Sequence, residues 1–406
     1  MKIAIIGGGA SGMLCAHLLN SKHDITIFEK DSILGGNIRT LNKNVKHSTL
    51  NEDIIIDNGV IEFAHNQFPT FFKIMEDLGV ILSSFPGNGA LYLHNGDYYL
   101  GRNLIKTKVK GFLNQSKEYL KLISLFPDLF LLQLKVKLKP KHIEEYTTGE
   151  LFNRRILHCW MRSLAMYAHS VPYKEIDRYY PAELCMSLFK TYAFGTKWYT
   201  IHTGIYTYIE KILESFKGKI ILKSKIQGVT RNENKVQIQM ANSDLLIFDK
   251  IVFASTPDQI LKLLKDSTSD EKKRFGAWKS HRIKTIIHTD NSLYAQYPLQ
   301  YYSEFDIFES SKGDFGYNGY MNRIASLNMN TSYFMGYNIE KLISPKKILH
   351  KQIHTTPFYT VEAMRYRKEI KKTNGENNTC YAGAYLYDGL HEGAAISATE
   401  VAKIMI

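Results

Sequence analysis

The first thirty residues constrain the fold of this chain more than any other stretch. Lys2 to Ile6 form a short apolar run rich in β-branched residues, which predicts a buried strand. Gly7-Gly8-Gly9-Ala10-Ser11-Gly12 follows directly, and apolar residues then recur at helical spacing as far as Leu19. A second predicted strand, from Asp24 to Phe28, ends at Glu29. This order of strand, glycine turn, helix, strand and acid is the context in which G-x-G-x-x-G binds a dinucleotide.

Each position of the motif has a physical task. Gly7 permits the tight turn, Gly9 lets the backbone approach a pyrophosphate, and Gly12 lets the helix pack closely on the strand. The N–H groups at the start of the helix, around Ala10 and Ser11, carry a partial positive charge toward the phosphates. Glu29, at the end of the second strand, can accept hydrogen bonds from both ribose hydroxyls. Because its negative charge disfavours a 2′-phosphate, NADP is not expected at this site.

A second glycine motif follows the acid and indicates the cofactor. Glu29-Lys-x-x-x-Leu-Gly-Gly-x-x-Arg-Thr40 is similar to the second FAD motif of the superfamily of flavin amine oxidases, protoporphyrinogen oxidases and phytoene desaturases. Asp57-x-Gly59 resembles the next element of that superfamily, which lies before a loop near the flavin. In such proteins the arginine at the place of Arg39 reaches the pyrophosphate or the flavin side. The resemblance implies cofactor contacts at Glu29, Lys30, Gly35, Gly36, Asn37, Arg39, Asn58, Gly59 and Val60.

The C-terminal segment resembles the last FAD motif of the same superfamily. Cys380 to Tyr385 predicts a short strand, and a helix opened by glycine follows near His391. Its N–H groups and dipole can face the flavin edge where negative charge develops on reduction. In the middle of the chain, the resemblance assigns an adenine contact to the backbone of Val229, and another strand returns to the nucleotide domain at Ala254. The contacts implied in these segments are Val229, Ala254, Gly383, Ala384, His391, Glu392, Gly393 and Ala394.

These motifs predict an α/β protein. A Rossmann-type FAD-binding domain (1–84, 205–261 and 371–406) is interleaved with an α+β substrate or cap domain (85–204 and 262–370), which is a mixed sheet covered by helices. A closer resemblance covers nearly the whole chain, to bacterial predicted NAD/FAD-binding proteins linked to cyclopropane or methylated fatty-acid enzymes. It is carried by Asp57–Phe63, Phe68–Pro69, Leu78–Val80, His288–Asp290, Met321–Arg323, Gly383–Tyr385 and Gly389–Glu392.

Three residues are candidates for the reaction itself. Hydride removal by a flavin needs a desolvated, oriented pocket more than a conventional base. Lys284 matches by position the lysine that holds a water at flavin N5 in amine oxidases, and an exposed strand lysine is an equal alternative. Tyr385 could line the flavin face or pack beneath the last helix, and His391 could be catalytic or a cap or loop residue. Ala384 and Leu390 depart from the glutamate and the aromatic residue that amine oxidases carry there.

Charge and cysteine content narrow the remaining function classes. The net charge of +13 alone is compatible with nucleic acid, a membrane surface or an anionic cofactor. No nucleic-acid motif accompanies it, so we expect no nucleic-acid partner. The four cysteines form no C-x-x-C pair, which predicts no cysteine metal site and a reducing compartment. None stands at the covalent attachment position of amine oxidases, so FAD is expected to be non-covalent.

The segment 104–141 carries much of the positive charge. Its apolar run, from Tyr119 to Leu134, is flanked by lysines at 106, 108, 110, 117, 121, 135, 137, 139 and 141. Such a segment can make peripheral contact with an anionic membrane. It can also be a helical cap with a solvated lysine face, which we favour because amphipathic segments commonly complete a core.

The leading hypothesis is an FAD-dependent oxidoreductase that dehydrogenates or desaturates an apolar, lipid-like small molecule. No second convincing G-x-G-x-x-G is present, so the electrons are expected to pass to O₂, a quinone or a carrier. A flavin amine oxidase is the alternative among enzymes, and an FAD-stabilised binding subunit without turnover is the alternative from another class. The expected location is the cytoplasm, with the inner membrane face as an option through 104–141.

Overall fold

The computed structural model describes residues 1–48, 50–127, 130–131, 134, 143–151, 155–193, 196–232, 234–299 and 301–405. Lysines 135, 137, 139 and 141 of the predicted membrane-contact segment 104–141 therefore lie outside the described residues.

A parallel sheet is built from the start, the middle and the end of the chain. In spatial order its strands are β10 (Lys219–Ile221), β2 (Asp24–Phe28), β1 (Lys2–Ile6), β14 (Lys250–Phe253) and β20 (Thr379–Tyr381). The central strand β1 is apolar because it is covered on both faces, and Ile3, Ala4 and Ile5 are fully buried. Helix α1 (Ala10–Leu19) crosses from β1 to the parallel β2. The predicted βαβ unit is confirmed.

A mixed sheet forms the second large layer. In spatial order its strands are β19 (Ile348–Phe358), β15 (Lys279–His288), β18 (Phe334–Tyr337), β17 (Phe315–Tyr320), β16 (Phe305–Glu309), β7 (Gly89–Tyr92) and β8 (Tyr98–Leu100). Only the pairing of β16 with β7 is parallel among these described strands. The predicted α/β class with a mixed sheet is confirmed.

Smaller sheets connect the two layers. They are the antiparallel β11 (Ile226–Arg231), β12 (Val236–Met240) and β13 (Leu245–Phe248); the pair β3 (Thr40–Leu41) and β4 (Ile56–Asp57); and β5 (Phe63–Ala64), β9 (Trp198–Ile201) and β6 (Leu82–Phe85). One large core cluster includes residues from both main sheets, and a smaller cluster surrounds Tyr92, Tyr294 and Phe334. A cleft lies between the two layers, at the carboxyl ends of the parallel strands.

The helices flank these sheets. After α1 they are α2 (Pro69–Asp77), α3 (Arg102–Lys108), α4 (Phe112–Ile123), α5 (Thr148–Leu151), α6 (Arg155–His169), α7 (Ile176–Tyr179), α8 (Ala182–Ala193), α9 (Thr207–Ser215), α10 (Pro257–Leu263), α11 (Ser269–Gly276), α12 (Met321–Ile324), α13 (Val361–Arg365), α14 (Arg367–Lys372) and α15 (His391–Met405). Helix α15 packs on both α1 and α2. Among the described helices, none is long and apolar enough to cross a membrane.

Candidate cofactor and active site

A cavity of about 790 Å³ lies between the carboxyl ends of the parallel strands and the mixed sheet. Ligands of open parallel sheets bind at this edge. Most of the residues predicted to contact the cofactor line the cavity: Gly7, Gly9, Ala10, Ser11, Glu29, Lys30, Gly35, Gly36, Asn37, Arg39, Gly59, Val60, Ala254, Gly383, Ala384, His391 and Ala394. The sequence motifs, which are far apart along the chain, therefore meet at one site.

The glycine turn after β1 leaves no room for side chains. Gly7 has φ +110°, and a Cβ there would lie 2.6 Å from the carbonyl oxygen of Ala254. A Cβ on Gly12 would lie 1.9 Å from the carbonyl oxygen of Gly7, so helix α1 can pack against the turn only because this residue is glycine. The first intrahelical bond runs from the Met13 N–H to the Gly9 oxygen at 2.9 Å. The N–H groups of the preceding turn therefore have no intrahelical acceptor and remain for an anion.

The acid after β2 is held by the backbone. Glu29 is 5% exposed; its Oε2 accepts from the Gly8 N–H at 2.7 Å and its Oε1 from the Asp31 N–H at 2.9 Å. These bonds orient the carboxylate at the cavity wall, and each oxygen keeps a further lone pair. A carboxylate in this place can accept hydrogen bonds from the hydroxyls of a ribose.

Arg39 places a positive charge beside the same wall. Its Nη2 is 3.2 Å from a carboxylate oxygen of Asp31, and its Nη1 donates to the carbonyl oxygens of Leu34 and Ile38 at 3.4 and 3.2 Å. Burial lowers the pKa of Arg39, and Asp31 and Glu29 oppose that change. The guanidinium stays protonated because its ordinary pKa is far above neutral. The free helix N–H groups, the glycine turn, Glu29 and Arg39 together fit the pyrophosphate and ribose of FAD.

Five predicted cofactor residues do not line the cavity: Gly12, Asn58, Glu392, Gly393 and Val229. Gly12 serves the packing of α1. The Asn58 N–H donates to the Arg39 oxygen at 2.7 Å, and its fully buried side-chain amide has no hydrogen-bond partner in the described part of the chain. Glu392 caps helix α2, and its two carboxylate oxygens accept from the Thr70 and Phe71 N–H groups at 2.9 Å each. Gly393 donates its N–H to Asp388 Oδ1 at 2.9 Å. At the start of α15, the Gly393 N–H and the Glu392 carboxylate therefore already have hydrogen-bond partners within the protein.

Val229, to which an adenine contact was assigned, does not line the cavity. Val229 is fully buried, and its carbonyl oxygen accepts from the Lys265 N–H at 2.9 Å. The residues of this segment that line the cavity are Ser224, Lys225 and Ile226. The predicted contact of Val229 with adenine is therefore not supported, because this residue is enclosed where its strand pairs with β12.

Lys284 lies at the surface rather than at the cavity. Lys284 is 47% exposed, and its Nζ lies 2.8 Å from Glu340 Oε2. Its neighbours Ile283 and Thr285 line the cavity. Lys284 itself is absent from the cavity lining, and its ion pair with Glu340 holds the ammonium group at the surface. Its predicted contact with flavin N5 is not supported.

The polar group that β15 presents at the cavity is the Thr285 hydroxyl, which shares a hydrogen bond with His354 Nε2 at 2.9 Å. His354 is buried on β19, and burial lowers its pKa to about 4, with Arg39 acting in the same direction. The neighbouring Thr355 carbonyl accepts from Asn37 Nδ2 at 3.0 Å, which ties β19 to the second glycine motif. Nothing in the sequence indicates that Thr285 and His354 meet, because only the pairing of β15 with β19 brings them together.

Tyr385 and His391 both line the cavity and are both uncharged at neutral pH. Tyr385 is 2% exposed, packs edge-on against Trp278 and has a hydroxyl without a partner among the described residues. Burial raises the pKa of Tyr385 and lowers that of His391 to about 4. The His391 ring packs against Phe63 and Phe71. Both residues can shape the cavity and donate hydrogen bonds, and neither is a strong base.

The cavity lining also includes many aromatic and apolar groups. Its walls include Phe63, Phe68, Tyr167, Trp198, Met335, Tyr337, Tyr359 and Leu390. Charged residues also reach the lining: Glu62, just before β5, and Arg282 on β15. The described residues contain no group of three or more His, Cys, Asp or Glu side chains suited to a metal ion.

Comparisons with known proteins agree with this architecture. Residues 5–78 match the model of an NAD(P)-binding Rossmann-like domain. No curated protein sequence matches the chain. The whole chain is similar in structure to a redesigned triple mutant of putrescine oxidase, with a TM-score of 0.69, 10% identity and 98% of that chain covered.

Two other solved structures also match the whole chain. A CLA-producing fatty acid isomerase from P. acnes has a TM-score of 0.68 at 16% identity, with 98% of that chain covered. The cyclohexylamine oxidase of Brevibacterium oxydans IH-35A has a TM-score of 0.67 at 13% identity, with 99% of that chain covered. The predicted resemblance to the flavin amine oxidase superfamily is confirmed at the level of the fold.

Proposed function

We propose that this chain is an FAD-dependent oxidoreductase that removes hydride from an apolar, lipid-like small molecule. The observation that carries the proposal is the cavity itself, whose lining combines a dinucleotide cradle with a set of aromatic side chains. The fold shared with flavin amine oxidases supports the class of reaction. The similarity to a fatty acid isomerase supports a lipid-like substrate.

The chain's own residues would hold the cofactor without a covalent bond. The N–H groups of α1 and the glycine turn would bind the pyrophosphate, and Glu29 would accept from the ribose hydroxyls. Bound FAD supplies a two-electron acceptor for a hydride. The side-chain amide of Asn58 and the hydroxyl of Tyr385, which both lack partners among the described residues, offer further hydrogen bonds near the same site.

The cavity suits dehydrogenation of a neutral carbon chain. Tyr385 and His391 bring no charge at neutral pH, and the aromatic walls exclude water from the reacting bond. Dehydrogenation removes a hydride and a proton from two neighbouring carbons of the substrate; the hydride would go to FAD, and the proton to solvent or to the neutral imidazole of His391. The same two electrons would then reduce dioxygen to hydrogen peroxide, or a quinone to its hydroquinone. The substrate needs orientation more than a strong base, which matches the lowered pKa of His391.

Anaerobic reduction of the flavin tests the substrate class. The purified protein is reconstituted with FAD and mixed without oxygen with a fatty acid, a fatty acyl ester or a primary amine. We expect bleaching of the flavin absorbance with the acyl compounds. Flavin that dithionite bleaches but no candidate substrate bleaches would favour a binding subunit without turnover. Mass spectrometry of the co-purified cavity ligand is the complementary measurement.

A flavin amine oxidase is the second candidate because Glu62 lines the cavity and could face a cationic amine. Under this alternative, an amine bleaches the flavin, and Glu62→Gln raises the KM for the amine with a smaller effect on kcat. Under the leading proposal, Glu62→Gln leaves the reaction with acyl compounds nearly unchanged. Tyr337→Phe keeps the cavity shape without changing its charge and is the matched control.

A further inference from the structure

Helix α4 has an apolar face that the fold does not use. Tyr119 and Leu122 pack against the smaller core cluster. Next to this packing side, four large apolar side chains of the same helix face solvent. Since each residue turns the helix by about 100°, these four fall within an arc of about 100°. We call them the outer face of α4: Phe112, Leu113, Leu120 and Ile123, which are 81%, 74%, 63% and 54% exposed.

The expectation that this segment completes the core accounts for Tyr119 and Leu122 but not for the outer face. A single exposed leucine is ordinary, but an apolar stripe along a helix that already has a packing face is not. The exposed apolar surface continues beyond the helix at Phe126 and Phe130, which are 62% and 65% exposed.

Positive charge surrounds the outer face. Residues 101–127 contain one arginine and five lysines against a single acid, Glu118. Glu118 is buried and pairs with Lys121 at 3.2 Å. Lys106, Lys110 and Lys117 are exposed. An apolar stripe bordered by exposed lysines has the composition of a helix that lies in the plane of an anionic bilayer surface.

We propose that the outer face of α4 docks this protein on the surface of a bilayer that contains anionic lipid. Phe112, Leu113, Leu120 and Ile123 enter the boundary of the acyl chains, and the lysines extend their charged ends into the headgroups. A second copy of this chain is a poorer occupant, because a two-fold contact through this face would bring its lysines near those of its partner. An anionic surface neutralises the same charges.

Vesicle binding by the full chain tests the proposal. The protein is centrifuged with vesicles of phosphatidylcholine that contain phosphatidylserine, and separately with vesicles of phosphatidylcholine alone. We expect binding to the anionic vesicles that weakens as salt is added. Leu113→Ser should weaken binding about tenfold because it removes one inserted side chain. Lys110→Gln should weaken binding about fivefold on anionic vesicles only.

Ile81→Ser is the matched control. Ile81 is 71% exposed, close to the 74% of Leu113, and lies outside α4. It should bind vesicles like the unmodified protein. Since Leu113 is mostly exposed, its variant should keep the unfolding temperature of the unmodified protein, which separates lost docking from lost folding.

Three results would overturn the proposal. The first is no binding to anionic vesicles, and the second is equal binding to both kinds of vesicle. The third is a dimer in lipid-free solution, seen by sedimentation and dissociated by Leu113→Ser, which would assign the face to a second copy. None of these measurements depends on turnover, so the proposal can fail while the proposed oxidoreductase activity stands.

Discussion

Asp306 on β16 is a buried carboxyl group that should make the protein less stable as the pH rises. Its Oδ2 accepts from the Tyr294 hydroxyl at 2.7 Å and the Ser303 N–H at 2.8 Å. Its Oδ1 has no hydrogen-bond partner within the described ranges, and the side chain is fully buried. Burial raises the pKa of Asp306 from 3.8 to about 7, and the nearby Glu304 acts in the same direction. Asp306→Asn removes the ionisable group and keeps an acceptor oxygen.

The size of the effect follows from the pKa difference. Below about pH 4 the carboxyl is protonated in both the folded and the unfolded chain, and it adds no pH dependence. Between about pH 4 and pH 7 the unfolded chain releases this proton and the folded chain keeps it, so stability falls with rising pH. A difference of about three pKa units corresponds to about 4 kcal/mol above pH 7. The asparagine variant should therefore gain about 4 kcal/mol relative to the unmodified protein between pH 4 and pH 8.

Urea unfolding at pH 4, 6 and 8, followed by circular dichroism, measures this change. The informative quantity is the difference in unfolding free energy between the two proteins at each pH. Asp57 and Asp388 also have pKa values raised by burial, to about 7 and about 6. They titrate in both proteins, so the difference isolates Asp306.

A difference that stays constant from pH 4 to pH 8 would refute the reasoning, because it would mean that Asp306 has the same pKa in the folded and unfolded chains. A difference that shrinks with rising pH would show the opposite sign and would mean that the folded state prefers the carboxylate. The expected difference rises mainly between pH 4 and pH 7 and is flat above that.

The cofactor and packing assignments predict three more outcomes. Glu29→Gln should weaken FAD binding about tenfold in a fluorescence titration, because a charged acceptor for the ribose is lost; unchanged affinity would place the ribose elsewhere. Glu392→Ala should lower the unfolding free energy by about 3 kcal/mol, since it leaves the N–H groups of Thr70 and Phe71 unpaired; urea unfolding with no shift would contradict the cap. Lys284→Met should leave the reoxidation of reduced flavin by oxygen unchanged in stopped-flow measurements, and a slower reaction would restore Lys284 to the site.

The motifs that the sequence revealed are those whose chemistry is local. A glycine turn between a buried strand and a helix has one geometry, so Gly7, Gly9 and Gly12 could be assigned tasks before any contact was known. The same holds for Glu29, because the end of the second strand must lie beside the turn. These residues occupy the expected places.

Positions that depend on strand register or on distant partners were predicted less well. For Lys284, a place at the site and an exposed place on the strand were equal alternatives, and the structure has the exposed one, whereas the next residue, Thr285, lines the cavity. The prediction for Val229 was displaced along the chain in a similar way, because the residues of its segment that line the cavity are Ser224, Lys225 and Ile226. Glu392 was assigned to the cofactor because nothing in its own segment shows that the N-terminus of α2 lies next to it.

The amino-acid sequence by itself determined the nucleotide half of this protein, because short-range backbone geometry and hydrophobic pattern specify a strand, a glycine turn and a helix. Only the tertiary structure decided which side chains meet across the cavity, such as Thr285 with His354, and which apolar residues of α4 stay in solvent. The reason is physical: burial, hydrogen-bond partners and pKa depend on groups that lie far away along the chain, and packing alone brings those groups together.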